Sequence, residues 1–153
     1  MSSEPLNEPI YYNSTYVHGV DEKRRVQIPS KWRPQKPHYL TLILWPRGSM
    51  IDACIHVLPP LEWERLVAKA QSLPFADPKA QALRRLIGKK SDRVLLDRGG
   101  RICIPEAMAT AAAIGKEAAL VGLIDRFEIW NPKRHEAAGA EDDQMQHLAF
   151  ELI

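Results

Sequence analysis

Val20-Asp21-Glu22-Lys23-Arg24-Arg25-Val26-Gln27-Ile28-Pro29 is answered 76 residues later by Leu96-Asp97-Arg98-Gly99-Gly100-Arg101-Ile102-Cys103-Ile104-Pro105. The shared pattern is an apolar residue, Asp, three residues, Arg, an apolar residue, any residue, Ile and Pro. Its recurrence in a chain of 153 residues is explained most economically by duplication. Asp at a turn accepts hydrogen bonds from backbone N–H groups two residues on. Gly99-Gly100 offers the positive φ that a two-residue hairpin needs, so Asp21, Asp97, Gly99 and Gly100 are read as shaping the turns. Pro29 and Pro105 have φ preset for a helix start, so each ends a strand and opens a short helix. Gly115 is expected to cap the second of these helices.

Downstream the copies correspond more loosely. Cys54-Ile-His-Val-Leu-Pro-Pro-Leu-Glu-Trp-Glu64 faces Arg126-Phe-Glu-Ile-Trp-Asn-Pro-Lys-Arg-His-Glu136 at an offset of 72, so the first copy has the longer middle loop. Each copy predicts a strand, a tight turn, a second strand opened by the Arg, a short helix, a strand pair and a Pro-started helix. Tyr39 to Trp45 and Ala118 to Ile124 read as buried strands. Between the copies, Pro60 opens a helix with Trp63, Leu66, Val67 and Ala70 on one face. Asp77-Pro78 caps another, with Leu83, Leu86 and Ile87 expected inward and a basic outer face. The organisation is an N-terminal extension over 1–13, a first repeat over 14–60, a helical connection over 61–90, a second repeat over 91–137 and an acidic tail or helix over 138–153. An isolated hairpin is marginal in water, so the two copies must cover each other. The expected fold class is mainly β with short helices (α+β). Intertwining of the halves into one barrel would relate the two turns by a pseudo-two-fold axis and put them on a common surface.

The composition, 45% hydrophobic and 26% charged, supports one sizeable core or two small intertwined ones. The net charge of +2 conceals a strong asymmetry. Residues 21–101 hold seventeen Lys and Arg against eight Asp and Glu, whereas residues 135–153 hold five acids and no Lys or Arg. A basic middle between acidic ends suits a polyanionic partner. No apolar run approaches the roughly 18 residues of a membrane helix, and Met-Ser-Ser-Glu-Pro lacks the plan of a signal peptide, so a cytoplasmic location is expected, with no membrane partner. Cys54 and Cys103, in Ala-Cys-Ile and Ile-Cys-Ile, read as buried reduced thiols. The sequence has no phosphate-binding Gly loop, nucleophile elbow or His-Glu-x-x-His. His18, His38, His56, His135 and His147 are scattered, and Cys54-x-His56 is read as lying on alternate faces of a strand. No enzyme activity, metal, cofactor or small-molecule substrate is therefore expected.

The doubled Asp-x-x-x-Arg motif, Asp21 to Arg25 and Asp97 to Arg101, resembles the MraZ family, whose members carry two AbrB-like (SpoVT-AbrB) half-domains in one chain. Supporting matches are Tyr16-Val-His18, Leu61-Glu-Trp-Glu-Arg65, Leu120-Val-Gly122 and Asp125-Arg-Phe-Glu-Ile-Trp130, and the resemblance spans roughly residues 14–137. Two departures stand out. The family's Gly before the first Arg is Arg24 here, and the counterpart of Lys23 is Gly99, with Arg98 beside it as a substitute. The resemblance implies a double swapped-hairpin barrel assembled into a ring-shaped homo-oligomer. It further implies a nucleoid-associated repressor of the cell division and cell wall gene cluster that includes its own gene, acting on short G-rich direct repeats.

The residue chemistry agrees with that role. The guanidinium fork fits guanine O6 and N7 or a phosphate, so Arg25 and Arg101 are read as base or backbone readers of double-stranded DNA. Lys23, Arg24, Arg98, Lys31 and Arg33 are read as phosphate contacts that set register. Asp21 and Asp97, being anionic, are assigned to the turn rather than to DNA. One exposed Asp–Arg pair would signify little; two on one basic surface favour DNA contact. The competing readings are an AbrB-like antitoxin, against which the duplication and the short tail count, and a structural ring without sequence-specific DNA binding.

Overall fold

The computed structural model describes residues 9–34 and 39–153, which leaves His38 and residues 1–8 of the N-terminal extension outside the described residues. The first copy runs through β1 (Thr15–Gly19), β2 (Arg25–Gln27), a 3-10 turn (Ser30–Trp32), β3 (Tyr39–Arg47), β4 (Met50–Leu58) and α1 (Pro60–Gln71). The connecting helix α2 (Pro78–Lys90) leads directly into the second copy. This comprises β5 (Ser91–Leu95), β6 (Arg101–Cys103), α3 (Glu106–Ala111), β7 (Glu117–Gly122), β8 (Phe127–Trp130) and α4 (Pro132–Gln144), with α5 (Gln146–Phe150) beyond it. Pro60, Pro78 and Pro132 stand at helix starts, where their missing N–H has no partner to lose. Asp77 and Asn131 complete two of those starts by accepting from the backbone N–H of Lys79 and of Lys133 and Arg134. Among the described residues no helix is long and apolar enough to cross a membrane.

The architecture is mainly antiparallel sheet with short helices. Six strands follow the order β1-β7-β8-β4-β3-β5, and β2 and β6 form a separate two-stranded ribbon. The six-stranded order is a palindrome of the two copies, since β1 corresponds to β5, β7 to β3 and β8 to β4. The first strand of each copy pairs with the other copy: β1 with β7 through Tyr16↔Leu120, and β5 with β3 through Leu40↔Val94. At the centre, β4 meets β8 with His56 opposite Glu128, and these are counterparts at the offset of 72. In the ribbon, Val26 lies opposite Ile102, counterparts at the offset of 76. A local two-fold axis therefore passes through both pairs.

Val26, Ile28, Ile102 and Ile104 from the ribbon pack with Leu42, Ile55, Val57, Leu120, Phe127 and Ile129 of the sheet. Each aliphatic side chain so buried stabilises the fold by about 1.5–3 kcal/mol. Trp32, on the 3-10 turn, fits against Tyr12, Tyr16 and Phe127, with its indole N–H donating to the Asn13 carbonyl. Alternate residues of the central strands supply a second cluster, in which Cys54, Ala119 and Trp130 meet Ala138 of α4.

Several local expectations need correction. No closed barrel forms among the described residues, because β1 and β5 are left as the two edges of the six-stranded sheet. The Asp-to-Arg turns are three-residue loops rather than two-residue ones. Arg24 N–H donates to the Asp21 carbonyl and Asp21 N–H to the Arg25 carbonyl, and Gly100 and Asp97 repeat this with Asp97 and Arg101. The last loop residue is then left-handed, at φ +60° for Arg24 and +78° for Gly100, as a type I turn with a following bulge requires. Helix α3 stops earlier than Gly115 would allow. Ala113 takes φ +57°, so the Ile114 N–H reaches the Ala109 carbonyl and its own N–H the Thr110 carbonyl. Leu83 and Leu86 of α2 are exposed, not inward, because Ala80 is the buried residue of that helix and nothing among the described residues covers the other face. Cys103 is likewise exposed, on the outer side of the ribbon.

Alanine in the left-handed region is strained, and the Ala113 Cβ is the cause. Ala113→Gly should stabilise the protein by about 0.5–1 kcal/mol, the relief of strain exceeding the added chain entropy. The measurement is a urea unfolding midpoint that moves up at constant slope.

Candidate nucleic-acid interface

Asp21 organises the first turn. Its Oδ1 accepts from the backbone N–H of Lys23 at 2.9 Å and of Arg25 at 2.8 Å, and its Oδ2 accepts from Arg25 Nε at 2.7 Å. Asp97 does the same in the second turn, accepting from the Arg101 N–H at 2.8 Å and from Arg101 Nε at 3.2 Å. The backbone N–H of the Arg is the main reason that each carboxyl is held below the usual carboxylate range. Both turns thus present an ionised Asp that fixes the Nε edge of an Arg. The terminal nitrogens of Arg25 and Arg101 have no hydrogen-bond partner among the described residues.

The ribbon joins the turns by bonds that repeat across the local two-fold. Ile28 N–H donates to the Gly100 carbonyl and Ile104 N–H to the Arg24 carbonyl, both at 2.8 Å. Gln27 Nε2 donates to the Gly99 carbonyl at 2.7 Å, and its counterpart Cys103 places Sγ 3.2 Å from the Lys23 carbonyl. The sequence readings did not single out Gln27, although the position between the motif's two apolar residues, on the outer face of a strand, was the available signal.

Symmetry breaks at two arginines. Arg33 Nε donates to the Ile28 carbonyl at 2.9 Å, while the Ile104 carbonyl, counterpart of Ile28, receives Arg24 Nε at 3.0 Å. Arg33's counterpart by sequence is Ala109, which has no group to give, and Arg24's counterpart is Gly100, whose missing side chain makes room for Arg33. Each strand-end carbonyl is therefore served by one arginine, from its own copy in one case and across the ribbon in the other. Arg24 and Arg33 have a structural duty at Nε. Lys23, Lys31 and Arg98 are exposed and make no side-chain hydrogen bond among the described residues. The ribbon brings Lys23, Arg24, Arg25, Arg33, Arg98 and Arg101 together; Lys31 sits on the adjoining 3-10 turn.

One grouping elsewhere could hold a metal ion. Cys54 and His56 are two apart on β4 and so share a face, contrary to the reading from sequence, and the register brings Glu128 of β8 to them. Burial and the adjacent Glu128 carboxylate push the Cys54 thiol up. Burial also pushes the Glu128 carboxyl up, but hydrogen bonds from His56 and Trp130 outweigh it and hold the group below the usual range.

Comparison with known proteins agrees on one family. The family model described as "MraZ protein, putative antitoxin-like" matches residues 89–150, the second copy and its helices. The chain is 34% identical over 122 residues to the transcriptional regulator MraZ of Thermomicrobium roseum, covering 80% of this chain and 82% of that protein. It is 33% identical over 137 residues to the transcriptional regulator MraZ of Clostridium tetani, covering 90% and 93%. With that of Ligilactobacillus salivarius it shares 34% over 139 residues, covering 90% and 94%.

The arginine arrangement generates a coupling test. Gly100→Ala adds a Cβ at positive φ and against the Arg33 guanidinium. It should destabilise the protein by about 2 kcal/mol, from left-handed strain and from the displaced hydrogen bond. In an Arg33→Ala background the same change should cost less, since only the strain remains. Chemical denaturation of the four proteins in the cycle measures this, and strictly additive losses would remove Arg33 from its place over Gly100.

Proposed function

Since the chain belongs to the MraZ family, we propose that it is a transcriptional regulator that binds double-stranded promoter DNA through its paired Asp-to-Arg turns. The observation that carries this reading is the duplicated turn itself. Two arginines related by a local two-fold are fixed at Nε by an Asp and retain their terminal nitrogens as donors, in a basic part of the chain. That fork suits guanine O6 and N7, or a phosphate held in two places. Lys23 and Arg98 beside them, and Lys31 nearby, are suited to the phosphate backbone, where contacts position the protein without reading sequence. Arg24 and Arg33 contribute charge while holding the turns in shape.

The exchange of first strands between the copies fits a double swapped-hairpin organisation. The family resemblance extends the proposal to a ring-shaped homo-oligomer acting as a repressor on G-rich direct repeats, within the cell division and cell wall gene cluster. Repeated sites read by several subunits gain avidity that one pair of turns lacks. Exposed apolar side chains such as Val17, Ile51, Phe75, Leu83 and Leu86 support association of copies.

Fluorescence anisotropy of the protein with its own upstream DNA and with a scrambled duplex, at two salt concentrations, tests the reading. Tighter binding to the upstream DNA is expected; equal, salt-sensitive binding to both would reduce the site to a basic surface. Arg25→Ala and Arg101→Ala should each weaken specific binding by roughly ten- to a hundredfold with folding intact. Lys23→Ala should instead weaken both duplexes alike and lower the salt slope by about one. Unchanged affinity in a folded Arg25→Ala/Arg101→Ala double variant would withdraw the site assignment.

A further inference from the structure

The β4–β8 pair carries a polar cluster beside the apolar contact of Ala53, Ala119 and Trp130, with Arg47 and His135 in its vicinity. Cys54 and His56 are 2% and 5% exposed, and one donor atom of each lies within 4.8 Å of the other and of a Glu128 oxygen. His56 Nε2 is 2.9 Å from Glu128 Oε2, and Cys54 Sγ is 3.9 Å from that same oxygen. The groups around them hold this geometry. Trp45 stacks on the imidazole with ring centroids 4.6 Å apart, and the Trp130 indole N–H donates to Glu128 Oε1 at 3.0 Å. The second imidazole nitrogen, His56 Nδ1, is buried and has no hydrogen-bond partner among the described residues.

We propose that Cys54 Sγ, His56 Nε2 and Glu128 Oε2 bind one thiophilic divalent cation, Zn2+ in preference to harder ions. A thiolate, an imidazole and a carboxylate form the mixed donor set that a borderline-soft cation takes and that Mg2+ or Ca2+ does not. With metal–ligand bonds of about 2.0–2.3 Å, tetrahedral ligands lie roughly 3.3–3.7 Å apart. The carboxylate–imidazole contact must open by a few tenths of an ångström, and the thiol must close by as much on the carboxylate oxygen and by up to about 1 Å on the imidazole nitrogen, which side-chain rotation supplies. Charge favours the ion as well: thiolate and carboxylate together neutralise a divalent cation, so the loaded site brings no net charge into the buried face. On binding, the Cys54 S–H bond is replaced by S–metal and its proton leaves to solvent. Any proton on His56 Nε2 moves to Nδ1, which frees Nε2 for the ion. Glu128, with 15% of its side chain exposed, marks the side from which the ion enters and a water completes the fourth position.

The site would do more than add stability. Cys54 and His56 belong to the first copy and Glu128 to the second, so the ion would staple the central strand pair through which the copies join. This inference stands independently of the DNA-binding reading.

Co2+ and Zn2+ titrations of the chelator-treated full chain test it. One ion per chain is expected, with a thiolate-to-cobalt absorption band and a raised unfolding temperature for the Zn2+ form. Cys54→Ser should abolish the thiolate band, and Glu128→Gln should weaken Zn2+ binding at least tenfold. Cys103→Ser should change neither, which separates the buried thiol from the exposed one. If the folded wild-type chain takes up no stoichiometric metal, or if the band survives Cys54→Ser, the proposal is overturned. The wild-type titration decides this even if a variant fails to fold.

Discussion

Strand β2 has three residues, strand β6 has three, and the two form a sheet of their own. Neither could persist alone, since an isolated two-stranded element is marginal even when longer. Their pairing buries Val26 and Ile102 almost completely, at 0% and 1% exposure, and lays Ile28 and Ile104 on the sheet. The antiparallel crossing of two counterparts imposes the local two-fold, and much else follows from that axis. The first strand of each copy is carried across to the third strand of the other. The two turns are brought to the two ends of one short ribbon. The central strands β4 and β8 meet with His56 facing Glu128 on the same axis.

A duplicated fold need not keep duplicated side chains, and the arginines show how one constraint is met in two ways. The buried end of each ribbon strand leaves a carbonyl that must be satisfied. Ile28 is served by Arg33 and Ile104 by Arg24, although these two arginines are not counterparts. The arrangement is self-consistent. Where Arg33 lies over the opposite turn, that turn needs Gly100; where Ala109 leaves the opposite place empty, Arg24 fills it at the expense of a left-handed φ. Placing a bulky residue at φ +60° is costly in isolation, and here the cost is offset by a charge-assisted hydrogen bond to a partly buried carbonyl.

What the sequence disclosed was mainly what spacing controls. The offset of 76, the Asp–Arg turns and the Pro-started helices are local signals, and each is present in the fold. The exchange of strands rested on the inference that a hairpin needs cover, and the palindromic sheet order supplies that cover without closing a barrel. Features that depend on a distant neighbour were less legible. The apolar face of α2 was visible as periodicity, but periodicity does not say whether anything packs on Leu83 and Leu86. Gly115 attracted the capping role that Ala113 fulfils, because composition favours glycine while the helix ends where its last carbonyls find partners. The grouping of Cys54 and His56 on one face was available from their spacing of two, whereas the approach of Glu128 required the β4–β8 register.

The departures from symmetry bear on the kind of target the proposed interface would suit. Two turns with one backbone but different cations do not present the same surface twice: Glu22, Lys23 and Arg24 in one face Arg98, Gly99 and Gly100 in the other. An exact two-fold reader is matched to an inverted repeat, because each half of the protein must meet an identical half-site. A reader whose backbone is two-fold but whose phosphate and base contacts are not loses that match. Its favoured site is an asymmetric sequence read in one orientation. Copies related head-to-tail, as in the proposed ring, would then meet such sites in one direction, as direct rather than inverted repeats. In the proposed interface, the divergence of the copies would give a pseudo-symmetric fold polarity on DNA.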